Sequence, residues 1–227
     1  MPTKDQIRAR EILAESAWLR EHGPDLIEPL LAHGRLTRLR AGQWAHAEGD
    51  DDTGVLVVVR GTIQLLCQAP GGREVIIGQA GPGGAMGQAM GFGGGPRLVT
   101  VVCAEDSLLL RISDRALARI AVDHPRIWEA VAALLYQQLR GLLQVFADAS
   151  ALSPRQRLAA RLEQLARASP DRREIRLSQQ TLAEMVGLSR KTVNAYLGEL
   201  EADGLVRRSY GAISLLDVGR LRRMVGR

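Results

Sequence analysis

The sequence predicts an α+β fold in three parts: a domain of many short strands, one long helix, and a C-terminal helix-turn-helix followed by a β-hairpin wing. Three observations carry this prediction. Short β-rich runs punctuated by glycine and proline fill Gly34 to Arg111. Mostly apolar positions recur by threes and fours from Trp128 to Leu152. Two capped helices flank a glycine turn between Ser178 and Asp203. The parts divide as residues 1–123, 124–152 and 153–227.

The chain has 227 residues, 46% of them hydrophobic, enough for one or two small domains with a core. It has no 18-residue apolar run, and Gln137, Gln138 and Arg140 break its most apolar helix, so no membrane span is expected. The polar stretch Met1 to Arg10 is not a signal peptide, which places the protein in the cytoplasm. Cys67 and Cys103 sit in apolar strand-like stretches without a C-x-x-C or neighbouring His, and read as buried small hydrophobes. Two cysteines do not make the four-thiolate set of an iron–sulfur cluster. Charge is uneven. Pro154 to Arg227 holds 15 basic and 8 acidic residues, a net of +7, whereas Met1 to Ser153 holds 15 and 17, a net of −2. A basic end is the footprint of a nucleic-acid module, although charge alone also fits a solvated surface.

Helices are expected over Lys4 to Arg20 and Pro24 to Ala32, then strands at Leu36–Leu39, Val55–Val59, Thr62–Cys67, Glu74–Ile77, Leu98–Cys103 and Leu108–Ile112. Together they suggest a barrel or sandwich, with Pro70-Gly71-Gly72-Arg73 as a hairpin turn. The Gly/Met-rich stretch Gly83 to Pro96 does not complete G-x-G-x-x-G, because Met86 and Pro96 fall at the third-glycine positions; a dinucleotide fold is rejected. Ser113 caps a short helix to Val122, and Pro125 opens a long helix to about Ser150. Along it Trp128, Val131, Leu135, Gln138, Leu142, Val145, Ala149 and Leu152 form a heptad seam expected to pair with a second copy. Gln138 would fix register, while Leu139 and Leu143 lie off the seam and serve the chain's own core. The alternative is a helix packed only on its own domain. Ser153-Pro154 starts the next helix, striped by Leu158, Leu162 and Leu165 and ended by Ser169-Pro170-Asp171.

Ser178 caps the first helix of the C-terminal pair, whose apolar face holds Leu182, Met185 and Val186. Gly187 permits a sharp turn, Leu188 plugs the core, and Ser189 caps a second helix with Val193, Leu197 and Leu200 inward. That second helix opens Ser189-Arg190-Lys191-Thr192, a basic, exposed turn whose N–H groups favour phosphate and whose long donors reach base edges in a major groove. Leu205–Arg208 and Ala212–Leu215 form a wing about Ser209-Tyr210-Gly211, with Arg207 and Arg208 placed for phosphate contact. Cap, basic turn and wing together point to DNA; a plain helical hairpin followed by a β-hairpin does not account for all three.

Leu177 to Leu215, with its Leu-Ser-Arg-x-Thr-Val run, resembles the helix-turn-helix of the Crp/Fnr family. Upstream, Arg40-Ala41-Gly42 to Glu48-Gly49-Asp50, Val57-Val58-Val59-Arg60-Gly61, Gly78 to Gly87, Arg97 to Ala104 and His124-Pro125 resemble that family's cyclic-nucleotide-type β-roll, in the same order. The resemblance implies a jelly-roll-like β-roll sensor, a dimerising helix and a winged DNA-binding domain in a bacterial regulator. Double-stranded DNA, a second copy and RNA polymerase are the implied partners, with a small-molecule effector where the sensor pocket holds one. Ser178, Gln180, Ser189 and Thr192 match phosphate-holding positions, and Arg190 and Lys191 match base-reading ones. The family's best-known reader has glutamate where Lys191 stands and arginine where Ala195 stands, so a different operator is implied. Asn194 either reads a base or is simply solvated.

The family's cyclic-nucleotide binders carry Gly-Glu for the ribose and Arg-Ser or Arg-Thr for the cyclic phosphate, where this chain has Gly87-Gln88 and Arg97-Leu98. Its polar base-contacting positions on the long helix correspond to Leu142 and Leu143. Gln88 could still bond a hydroxyl and Arg97 an anion, but Leu98 removes a phosphate donor; a surface salt bridge is an equal alternative for Arg97. Cyclic AMP is therefore not expected as effector. Nor is haem, since His22, His33, His46 and His124 all lie outside Gly83 to Pro96 and nothing evident opposes a ligating Pro2. No resident cofactor or metal is expected, and no catalytic motif marks an enzyme. A second reading is a ligand sensor whose C-terminal module contacts a protein partner, against which the exposed Arg190-Lys191 turn argues.

Overall fold

The computed structural model describes residues 2–20, 23–88, 95–168 and 173–226, with Gln88 and Ala168 described through their backbone alone. It forms two compact units, Met1–Gly72 with Gln79–Arg140, and Arg73–Gly78 with Gly141–Arg227.

In the first unit, α1 (Lys4–Glu15) opens with a capping box: the Thr3 hydroxyl accepts from the Gln6 N–H, and the Gln6 amide oxygen accepts from the Thr3 N–H. The single helix expected to Arg20 breaks at Ser16. Its Oγ donates to the Leu13 carbonyl at 2.6 Å and its backbone turns extended, so α2 (Ala17–Arg20) starts afresh and swings Trp18 and Leu19 into the core. A 3-10 turn (Pro24–Leu26) leads into α3 (Ile27–His33).

The strands are β1 (Arg35–Leu39), β2 (Trp44–His46), β3 (Gly54–Arg60), β4 (Ile63–Ala69), β5 (Arg73–Ala80), β6 (Ala85–Gln88), β7 (Thr100–Cys103) and β8 (Ser107–Ser113). They make two four-stranded sheets, ordered β1-β8-β3-β6 and β2-β7-β4-β5. Strand β3 explains its own sequence. Val55, Val57 and Val59 pack against the helices, while Leu56 and Val58 pack with Ile63, Val101 and Leu109. Both faces are buried, hence an unbroken apolar run. Strands β2 and β6 were not expected. They are three and four residues long, and β6 is drawn into the sheet by pairing with β3. Burial pushes both free thiols, Cys67 and Cys103, above their ordinary value.

Ser113 caps α4 (Asp114–Asp123), its hydroxyl accepting from the Ala116 N–H. The long helix α5 spans Ile127–Ala151. Here the expected seam needs correction. Val131 is fully buried in the first unit's core, and Trp128 and Leu135 pack against that same core. Gln138 bonds back to the Leu134 carbonyl of its own helix, and Val145 is half-buried. The large apolar side chains of α5 left exposed are Tyr136, Leu139, Leu142, Leu143 and Phe146, and the seam's Ala149 is exposed as well. Leu139 and Leu143, expected inside, are 55% and 59% exposed. Of the expected large apolar seam residues from Trp128 to Val145, Leu142 alone lies on this stripe. The core took the other face of the helix.

The second unit holds α6 (Pro154–Ala168), with the Ser153 N–H and hydroxyl both donating to the Gln156 side chain. Its expected terminator Ser169-Pro170-Asp171 lies outside the described residues. A three-stranded antiparallel sheet follows, ordered β10-β11-β9, from β9 (Glu174–Arg176), β10 (Val206–Ser209) and β11 (Ala212–Leu215). Strand β9 and the last helix, α9 (Val218–Met224), were not anticipated. Leu158, Leu162, Leu182, Val193, Leu197, Leu200 and Leu221 form the unit's core. Glu163, 1% exposed, is neutralised by Arg167 and Arg222 and so ties α6 to α9.

Candidate nucleic-acid interface

The site is built from two caps and one left-handed glycine. The Ser178 hydroxyl accepts from the Thr181 N–H at 3.0 Å and starts α7 (Gln179–Val186). Gly187 ends it at φ 65°, ψ 38°, a conformation that costs glycine nothing. The Ser189 hydroxyl then accepts from the Thr192 N–H at 3.0 Å and starts α8 (Arg190–Ala202). Val193, Leu197 and Leu200 are fully buried, so the helix phase is fixed. Arg190, Lys191, Asn194 and Ala195 are left exposed on α8. The helix dipole and free N–H groups at this end add to the basic charge.

The expected phosphate-holding hydroxyls of Ser178, Ser189 and Thr192 engage in the cap bonds, Ser189 Oγ and Thr192 Oγ1 lying 2.8 Å apart. Gln180 donates to Glu184 along α7 at 2.9 Å and is exposed. At the wing, Arg207 and Arg208 do not behave alike. Successive side chains of a strand point to opposite faces. Arg207 is exposed. Arg208 instead turns back onto α8: its Nε donates to Glu201 Oε2 at 2.7 Å, its backbone N–H to Glu201 Oε1 at 2.8 Å, and its Nη1 to Asn194 Oδ1 at 3.0 Å. Those hydrogen bonds, the backbone one first, hold the Glu201 carboxyl below its ordinary value. Sequence reasoning passed over Glu201; its place seven residues after Asn194, on the same helix face, was the available signal. Tyr210 stands fully exposed at the wing tip, beside Gly211 at φ 71°.

The expected effector residues of the first unit differ in their surroundings. Gly87 lies on β6 opposite Val55, and a Cβ there would come within 3.0 Å of Leu134 on α5. The side chain of Gln88 lies outside the described residues. Arg97 is buried rather than set in a surface salt bridge. It is 7% exposed, its Nε donates to the Asp52 carbonyl at 2.8 Å, and its Nη1 to the Gly54 carbonyl at 3.2 Å. It borders a cavity of about 380 Å³ lined also by Arg35, Asp52, Arg111 and Ser113, but not by Gly87 or Leu98. Leu98 is 72% exposed and Leu142 57%. Burial, with Arg97 and Arg111 nearby, lowers His46 to about 4 and leaves it neutral at physiological pH.

An antiparallel β-domain, a long helix and a capped, winged helix-turn-helix in chain order define the class: a β-domain protein with a C-terminal domain of the DNA-binding type. Two family models match the chain, the cyclic nucleotide-binding domain over residues 36–124 and the Crp-like helix-turn-helix domain over residues 156–224. A CRP-like cAMP-activated global transcriptional regulator of Mycobacterium tuberculosis is 27% identical over 219 residues, covering 94% of this chain and 98% of that relative. The CRP-like protein Clp of Xanthomonas campestris is 26% identical over 191 residues, 79% of this chain and 83% of that one. Among solved structures, FixK2 from Bradyrhizobium japonicum matches in fold with a TM-score of 0.75 at 18% identity, over 84% of this chain and 96% of the other. The c-di-GMP responsive regulator CLP of Xanthomonas campestris matches at 0.67 and 25% identity, over 84% and 98%. The chain belongs to the Crp/Fnr family of transcriptional regulators, with relatives in bacteria, and is not an enzyme.

Proposed function

We propose that this regulator acts as a cytoplasmic homodimer that reads a specific, pseudo-palindromic operator through α8. Residues 1–123 serve as sensor, 124–152 as dimerisation helix and 153–227 as DNA-binding domain. RNA polymerase is a further partner. The observation that carries this reading is the exposed turn Arg190-Lys191 at the Ser189-capped N-terminus of α8. A two-fold dimer sets two such helices about 34 Å apart, in successive major grooves. Selection from a random DNA library tests it. Enriched sites are expected to show two-fold symmetry, with half-sites separated by about 10 base pairs. Asymmetric sites, or no enrichment, would refute it.

The sensor departs from the cyclic-AMP pattern. Two donors of Arg97 bond the Asp52 and Gly54 carbonyls, and Leu98 supplies no hydroxyl beside it. Relatives are named for cyclic AMP and cyclic di-GMP, so the effector chemistry varies among them. We expect calorimetry with cyclic AMP to detect no binding in the micromolar range. A micromolar dissociation constant would overturn the altered-pocket reading.

A further inference from the structure

Asn194 sits one turn beyond Arg190 on the exposed side of α8, where a side chain can face the groove. Its amide is oriented by a neighbour. Arg208 Nη1 donates to Asn194 Oδ1 at 3.0 Å. An arginine has no acceptor, so the amide must turn its oxygen toward the guanidinium and its NH2 away. The guanidinium is itself held: Glu201 takes its Nε at 2.7 Å and its backbone N–H at 2.8 Å. Asn194, Gly198 and Glu201 follow at i, i+4 and i+7, a single helix face. A Cβ at Gly198 would lie 3.9 Å from both terminal nitrogens of Arg208, so a longer side chain there would occupy the guanidinium's place. A poor helix former in mid-helix thus leaves room for the wing arginine to lie across α8.

We propose that Arg208, clamped by Glu201, is a positioning residue that presents Asn194 to the operator as a one-sided hydrogen-bond donor. This rests on α8 being the DNA reader. A freely rotating asparagine favours adenine, accepting from N6 and donating to N7. With its oxygen turned toward Arg208 and one of that oxygen's two lone pairs taken, Asn194 is biased to offer its N–H bonds outward. They suit guanine, whose O6 and N7 are adjacent acceptors, whereas adenine presents a donor at that edge. The wing thereby sets base preference at a position that it need not touch.

Selection from random DNA with the full-length wild type, Asn194→Ala, Arg208→Met and Glu201→Gln tests the proposal, with a melting curve for each protein. In the wild type, one position per half-site is expected to prefer guanine over adenine by roughly tenfold, and Asn194→Ala to remove that preference. Arg208→Met should raise adenine at that same position toward parity or beyond, and Glu201→Gln should do so in part. The glutamine variant reads the same effect should the methionine variant fail to fold. Three results would overturn the proposal: an adenine preference already in the wild type, unchanged base preferences in Asn194→Ala, or an Arg208→Met protein that weakens on all sequences alike. The last would make Arg208 a plain phosphate contact. If the wild type itself enriches no sequence, α8 is not the reader and the proposal falls with that assignment.

Discussion

Replacing Leu139 and Phe146 together with aspartate is expected to convert a homodimer of this 24.7-kDa chain into a folded monomer. Both side chains point away from the chain's own core, at 55% and 73% exposure. Tyr136, Leu139, Leu143 and Phe146 follow at spacings of three, four and three, the period of a helix seam. Burying a large apolar side chain contributes about 1.5–3 kcal/mol, so a stripe of five exposed ones is a large unclaimed driving force. Four carboxylates facing each other across the pair would cancel it. Sedimentation should show a halved mass with an unchanged melting profile. A contrasting variant makes the point from the other side. Leu134, 3% exposed, belongs to the core, so Leu134→Ala should cost about 2–5 kcal/mol of stability without altering the seam residues. The monomer should also lose about 10²–10⁴ in operator affinity, because two linked readers bind with an effective concentration that one lacks. A dimeric Leu139→Asp/Phe146→Asp protein would show that this stripe is not the interface.

Arg190→Ala and Arg207→Ala are expected to weaken DNA binding in different ways. Arg190 opens α8 and is exposed, and its guanidinium can fork onto guanine O6 and N7. Its loss should cost about 1–3 kcal/mol per half-site and relax one base position. Arg207 lies on β10, exposed and on the strand face opposite Arg208. It suits a phosphate, so its loss should weaken all sequences alike and flatten the log–log salt dependence by about 0.9 per contact. Binding isotherms for each variant on matched and mismatched operators, at two salt concentrations, separate the cases. A uniform loss for Arg190→Ala would mean that it holds backbone, and that the reader lies elsewhere on the domain.

What the sequence determined by itself were the features with local causes. Ser113, Ser153, Ser178 and Ser189 each start a helix, because a hydroxyl satisfying a nearby group near a helix start needs only a few residues of chain. Gly187 marks the turn, because the left-handed conformation is a property of one residue. The turn Ser209-Tyr210-Gly211 between the wing strands and the unbroken run of β3 were equally local, and from these the class of the molecule followed. Short β2, β6 and β9 escaped notice because so few residues hold too little pattern, and pairing with distant strands makes them strands at all. The seam was decided at a larger scale. Two lines on α5 obey the same three–four spacing, one through Val131 and Leu135, the other through Leu139 and Phe146. Which one faces inward depends on where the β-domain and its helices pack, not on the helix. Arg97 and Arg208 depended on tertiary structure in the same way. A guanidinium takes whichever acceptors the fold brings within reach, the Asp52 and Gly54 carbonyls for one and Glu201 with Asn194 for the other. Sequence spacing carries periodicity within an element; the partner across space is set only when elements meet.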